Sequence, residues 1–116
     1  MAAIESTQLK LNKIGGSQIL NSEENQKLII SFFNMPIENR DFCLRISMDT
    51  LNLYLKEEIK QYKDVAEIIK NQIDQKFGNS WHVVCGPNFS SWLTFEKNSC
   101  IMFSYQEISV LIWKHG

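Results

Sequence analysis

At Ser80 the spacing of apolar residues along the chain changes from about 3.6 to 2, and this switch limits the folds open to the sequence. Upstream, Leu44, Met48, Leu51, Leu55 and Ile59 recur at helical spacing, with Arg45, Asp49, Asn52 and Lys56 between them. They predict an amphipathic helix over about residues 38–60. Pro36 suits its first turn, Asn34 its cap, and Glu38 the positive end of its dipole. Val65, Ile68, Ile69, Ile73 and Phe77 form a second stripe, with Lys63, Glu67, Lys70 and Asp74 facing out. This second helix is expected over about 63–77, stopped by Gly78-Asn79.

Downstream, Trp81, Val83 and Cys85 point one way and His82 and Val84 the other, as in a strand. Gly86-Pro87-Asn88 turns the chain, Phe89 to Phe95 is a further strand, and Glu96-Lys97-Asn98 is a tight turn. Cys100 to Tyr105 and Ile108 to Lys114 form a hairpin around Gln106-Glu107. The last strand is apolar on both faces, which predicts a central position. Leu28-Ile29-Ile30-Ser31-Phe32-Phe33, before the helices, is a short β-branched and aromatic run and reads as a strand. Strand, two helices and four strands make an α+β domain, with two helices packed on an antiparallel sheet.

Residues 1–27 differ. Ser6, Thr7, Asn12, Gly15, Gly16, Ser17, Ser22, Glu23, Glu24 and Asn25 give a polar stretch, read as a flexible arm with a short strand at Gln8 to Leu11. Gly15-Gly16-Ser17 lacks the Lys-Ser/Thr pair of a phosphate loop and reads as linker. The domain proper is expected over 28–116.

A chain of 116 residues with 44% apolar content holds one core. Its net charge of −1 speaks against nucleic acid and anionic membrane as partners. No apolar run approaches the ~20 residues of a membrane helix. The opening Met-Ala-Ala-Ile-Glu has no apolar signal core. Cys43, Cys85 and Cys100 are an odd, irregularly spaced set without a C-x-x-C, which fits free thiols in the cytosol.

Catalytic chemistry finds little support. The two histidines are His82 and His115. Cys85, three residues from His82 on one strand, points to the opposite face, and nothing supplies an orienting third group. A thiol enzyme using Cys85 or Cys100 would need an acidic, accessible thiol, whereas buried cysteine is the simpler account. No Cys or His pair has zinc spacing, so no metal and no cofactor are expected. Glu57, Glu58, Asp64, Glu67 and Asp74 interleave with Lys56, Lys60, Lys63, Lys70 and Lys76, as on solvated faces with i,i+4 pairing. Trp81 and Trp113 read as core. Trp92 shares its face with Ser90, Thr94 and Glu96; it is either an interface anchor or a cover over a neighbouring helix. Closely spaced strands leave a sheet edge open to a partner strand.

The run Lys76-Phe77-Gly78-Asn79-Ser80-Trp81-His82-Val83-Val84-Cys85-Gly86-Pro87-Asn88-Phe89 resembles the signature of the small dynein light chains, the dimeric hub type. The similarity continues through Ser91-Trp92-Leu93-Thr94-Phe95-Glu96 to Lys114-His115-Gly116. It reaches back through Lys63-Asp64-Val65-Ala66 and Asn34-Met35-Pro36, so that it covers about residues 28–116. The resemblance implies a strand-exchanged dimer, in which Phe89 to Phe95 crosses to pair with the other protomer. It implies a non-catalytic light chain of a dynein motor, in cytoplasm and cytoskeleton, that binds extended segments of dynein intermediate chains by β-strand addition. A dimerisation hub for non-dynein clients is the alternative.

By position, the resemblance lines the client groove with Lys63, Phe89, Ser90, Ser91, Trp92, Leu93, Thr94, Phe95, Cys100, Met102 and Ser104. It assigns His82, Asn71, Trp92 and Thr94 to the dimer interface. The sequence departs from the family at several of these positions. Ser90 stands for a usual glycine, Trp92 for a tyrosine and Phe95 for a histidine. Cys100, Met102 and Ser104 replace aromatic residues, and Asn71 replaces a lysine that contacts the partner. A reshaped groove and interface fit a light chain dedicated to one motor, such as that of a ciliary or flagellar axoneme, pairing with itself or with a different light chain.

Overall fold

The structure, a computed structural model, describes residues 27–87, 89 and 96–116. The described elements run β1 (Leu28–Asn34), α1 (Ile37–Leu55), α2 (Tyr62–Phe77), β2 (Trp81–Gly86), β3 (Cys100–Tyr105) and β4 (Ile108–Lys114). The four described strands form one antiparallel sheet in the order β1-β3-β4-β2. As its apolar character predicts, β4 is interior. The expected arm, with its strand at 8–11, and nearly all of the expected strand Phe89 to Phe95 lie outside the described residues.

Both helices pack on one face of the sheet. Cys43, Leu44, Met48 and Leu51 of α1 and Val65, Ile69 and Ile73 of α2 meet Leu28, Ile30, Ile101, Phe103, Tyr105, Ile108, Val110 and Ile112 in a single core. Each such side chain contributes about 1.5–3 kcal/mol of burial, which makes the helix–sheet contact the dominant stabilising term. The Tyr105 hydroxyl adds a directed link, donating to Asn52 Oδ1 of α1 at 2.9 Å.

Three local expectations are corrected. First, α1 ends at Leu55, short of residue 60. Glu57 adopts φ +64°, its N–H donates to Tyr54 O at 3.0 Å, and the Glu58 N–H donates to Leu53 O at 2.9 Å. This pair of bonds is a Schellman end, here built on a glutamate where glycine is usual. The turn lets Ile59 pack against the core from a loop and leaves Leu55 exposed. Second, Asn34 does not cap α1; it closes β1, and its Oδ1 accepts the Asn98 N–H at 2.7 Å. Third, Trp113 is outside the core. Alternation along β4 sends Ile108, Val110 and Ile112 toward the helices, and Trp113 with Leu111 to the other side.

That other side of the sheet carries Ile29, Phe32, Val84, Met102, Leu111 and Trp113, and neither helix covers it. Ile29 is 59% exposed, and Phe32 and Val84 are each 39% exposed.

Candidate functional site

The order of the described strands leaves β2 at an edge. Its partner on one side is β4, in register from Trp81↔Lys114 to Gly86↔Ser109, and no described strand pairs with its other side. Above this edge runs α2. The Lys70 ammonium donates to the Trp81 carbonyl at 2.7 Å and pairs with Asp74 at 2.6 Å. Asp74 also accepts the Trp81 N–H at 3.2 Å. One lysine–aspartate pair thus clasps the start of β2 to the last turns of α2. Further along β2, Val83 shares a cleft lining with Lys63 at the start of α2. Helix α2 therefore runs antiparallel alongside β2.

Between them opens a cleft of about 420 Å³ lined by Lys63, Asp64, Ala66, Glu67, Lys70 and Val83. Ala66 leaves the room that a longer side chain would fill. Val83 forms the apolar floor. Asp64 lies in the first turn of α2, where the helix dipole favours a carboxylate. No described ion pair joins Lys63 or Glu67 to another residue.

The residues named from sequence divide between two places. Lys63 is on the cleft wall. Phe89, half-buried, follows β2. Cys100, Met102 and Ser104 alternate along β3 on the helix-free face, beyond β4, and so do not line the cleft of their own chain. His82 shares that face. Its ring lies 5.3 Å from the Trp113 ring, and its Nε2 is 3.0 Å from the His115 carbonyl oxygen. Asn71 is exposed on α2. Ser90, Ser91, Trp92, Leu93, Thr94 and Phe95 lie outside the described residues. The clasp by Lys70 and Asp74 escaped the sequence reading, which saw an i,i+4 surface pair. The signal was their position one and two turns before Gly78, at the level where the chain reverses into β2.

The thiols are poorly disposed to react. Burial pushes the Cys43 thiol up to about 12, and the Cys85 and Cys100 thiols each up to about 11. Trp113, which pairs with both Cys100 and His82 across the sheet, separates those two side chains. Among the described residues, no group of three or more His, Cys, Asp or Glu gathers to hold a metal. None of their helices is long and apolar enough to cross a membrane.

Comparison with known proteins places this architecture. The dynein light chain-like domain of a calcium-binding protein of Fasciola hepatica superposes with a TM-score of 0.62 at 22% identity, over 78% of this chain and 93% of that one. The fold is thus the dynein light chain fold. The dynein light chain type 1 family profile matches residues 27–115. Cytoplasmic dynein light chain 1 of Saccharomyces cerevisiae is 34% identical over 94 residues, 80% of this chain and 97% of the relative. A probable cytoplasmic dynein light chain 2 of Caenorhabditis elegans is 31% identical over 91 residues, 78% and 96% of the two chains. The chain belongs to the dynein light chain family.

Proposed function

We propose that this chain is a non-catalytic light chain of a dynein motor complex that dimerises and takes extended segments of a dynein intermediate chain by β-strand addition. The observation that carries this reading is the edge of β2 beneath α2, with which no described strand but β4 pairs. An edge strand offers a row of backbone donors and acceptors, and the cleft beside it offers side-chain pockets. In this reading residues 89–95 of a second copy pair with the β2 edge, and the client strand adds beside them under α2. Pairing through the helix-free face brings Cys100, Met102 and Ser104 of one copy toward the cleft of the other. It also explains why those residues and Lys63 are apart within one chain. Ile29, Phe32 and Val84, exposed on that face, make it apolar and suit it to burial against a second copy. His82, Asn71, Trp92 and Thr94 are proposed at the dimer contact.

Two client segments held side by side raise each other's effective concentration, so the light chain would join intermediate chains without bond chemistry. Relatives named as cytoplasmic dynein light chains support a place in cytoplasm and cytoskeleton. The reshaped groove supports dedication to one motor, axonemal in the sharper form of the proposal, with a second light chain as an admissible dimer partner.

Sedimentation at neutral pH tests the first half. A mass twice that of the chain, lost on Val84→Arg with the circular dichroism spectrum kept, is expected. A monomer at every concentration, alone and with a second light chain, would refute dimerisation. Titration of the ¹⁵N-labelled protein with extended peptides from a dynein intermediate chain tests the second half. Shifts at Lys63, Ala66 and Val83 are expected; shifts elsewhere only would refute the cleft.

A further inference from the structure

Four charged side chains line the cleft, and two of them are already engaged. Lys70 is held by Asp74 and by the Trp81 carbonyl at 2.6 and 2.7 Å. Asp64 sits at the positive end of the α2 dipole. Lys63 and Glu67 remain, exposed on the same wall, with no described ion-pair partner. They are four residues apart, so their Cα atoms are separated by about 6 Å along the helix axis.

Helix α2 runs alongside β2, and a client strand added beside residues 89–95 of a second copy, on this side of the sheet, also runs along the helix. Two residues of a strand advance about 6.6 Å and return to the same face. The two spacings match. A client residue facing Lys63 and the residue two positions away therefore face Lys63 and Glu67 together. The ammonium of Lys63 calls for an acceptor oxygen. The carboxylate of Glu67 calls for a cation.

We infer that Glu67 is a specificity determinant of the cleft, selecting client segments with a Lys or Arg two residues from an acceptor side chain that meets Lys63. This inference rests on the strand-addition reading. Chain direction decides whether the basic residue precedes or follows the acceptor.

The test uses the full chain and short fluorescein-labelled synthetic peptides of one background sequence. Gln is the acceptor, with Lys, Ala or Glu placed two residues before it or two residues after it. In one of the two placements, the Lys peptide should bind at least about fivefold more tightly than its Glu twin, as for a partly screened ion pair. The gap should shrink as salt is raised. Glu67→Lys should reverse the order, and Glu67→Gln should abolish it. Glu67 is exposed in mid-helix, so both variants should fold, as circular dichroism checks. Equal binding of Lys and Glu peptides in both placements would overturn the inference and leave strand addition standing. Failure of every peptide to bind, with no shift at Val83 or Ala66, would overturn both. A preference that survives Glu67→Lys unchanged would assign the selectivity elsewhere and overturn the role of Glu67.

Discussion

Removal of the Asp74 carboxylate should loosen β2 from α2. In Asp74→Ala the Trp81 N–H loses an acceptor at 3.2 Å and Lys70 loses its ion pair at 2.6 Å. A hydrogen bond to a charged acceptor contributes about 1.5–3 kcal/mol. The Lys70–Asp74 pair is partly exposed, at 40% and 20%, and an i,i+4 pair of this kind adds only about 0.3–0.5 kcal/mol. Against this, alanine is the better helix former by roughly 0.5 kcal/mol, and a carboxylate near a helix C-terminus opposes the dipole by about 0.3 kcal/mol. The net loss is about 2 kcal/mol, or a fall in Tm of roughly 8–16 °C for a domain of this size. Asp74→Asn keeps a neutral acceptor and should fall between wild type and alanine. Urea unfolding at one fixed protein concentration measures both, because a dimer's stability depends on concentration. Hydrogen exchange at the Trp81 amide should accelerate with the same rank order. An alanine variant within about 0.5 kcal/mol of wild type would show that the clasp is a solvent-screened contact without structural weight.

Three further outcomes are expected. The Ser47 hydroxyl is buried without a described partner, so Ser47→Ala should raise unfolding free energy by about 0.5–1 kcal/mol in the same urea assay. The β3–β4 hairpin turns on Gln106 and Glu107 at φ +55° and +67°, angles that favour Asn-Gly; Gln106→Asn with Glu107→Gly should raise Tm, by about 1 kcal/mol in stability. Burial holds the Cys43 thiol up to about 12 from an ordinary 9.0, so the stability it confers is complete below pH 9. That stability should decline by about 1.4 kcal/mol per pH unit between pH 9 and 12 as only the unfolded thiol ionises. A Cys43→Ala variant with an equally steep alkaline decline would exclude that cause. Thiol-specific labelling of the folded protein at pH 7 should likewise be slow at all three cysteines.

The element order was legible because each half of the domain has one clean period. Val65, Ile69 and Ile73 can be buried together only on a helix, and the alternation from Trp81 to Cys85 only on a strand. The interior place of β4 followed from its lack of a polar face. What stayed hidden was set by contacts between distant residues. Asn34 looks like a cap beside Pro36, yet the amide it bonds is 64 positions away at Asn98. The end of α1 was invisible because Glu57 carries no glycine signal, and the left-handed turn there serves the docking of Ile59. Trp113 could be assigned to neither face by hydrophobicity alone, since both faces of β4 are apolar. The cleft was half legible. Lys63 was named through the resemblance, while Glu67 and Lys70 read as ordinary surface charge until α2 was laid beside β2.

The strand order also bears on biosynthesis. Among the described strands, β2 pairs only with β4, and β1 only with β3. Residues 108–114 join those two pieces. While they remain inside the ribosome, Trp81 to Gly86 has been made but lacks its sheet neighbour, and the helices lie on an incomplete floor. Nascent chains halted before residue 108 should therefore expose apolar surface to chaperones, and those released beyond it should close the sheet in one late step.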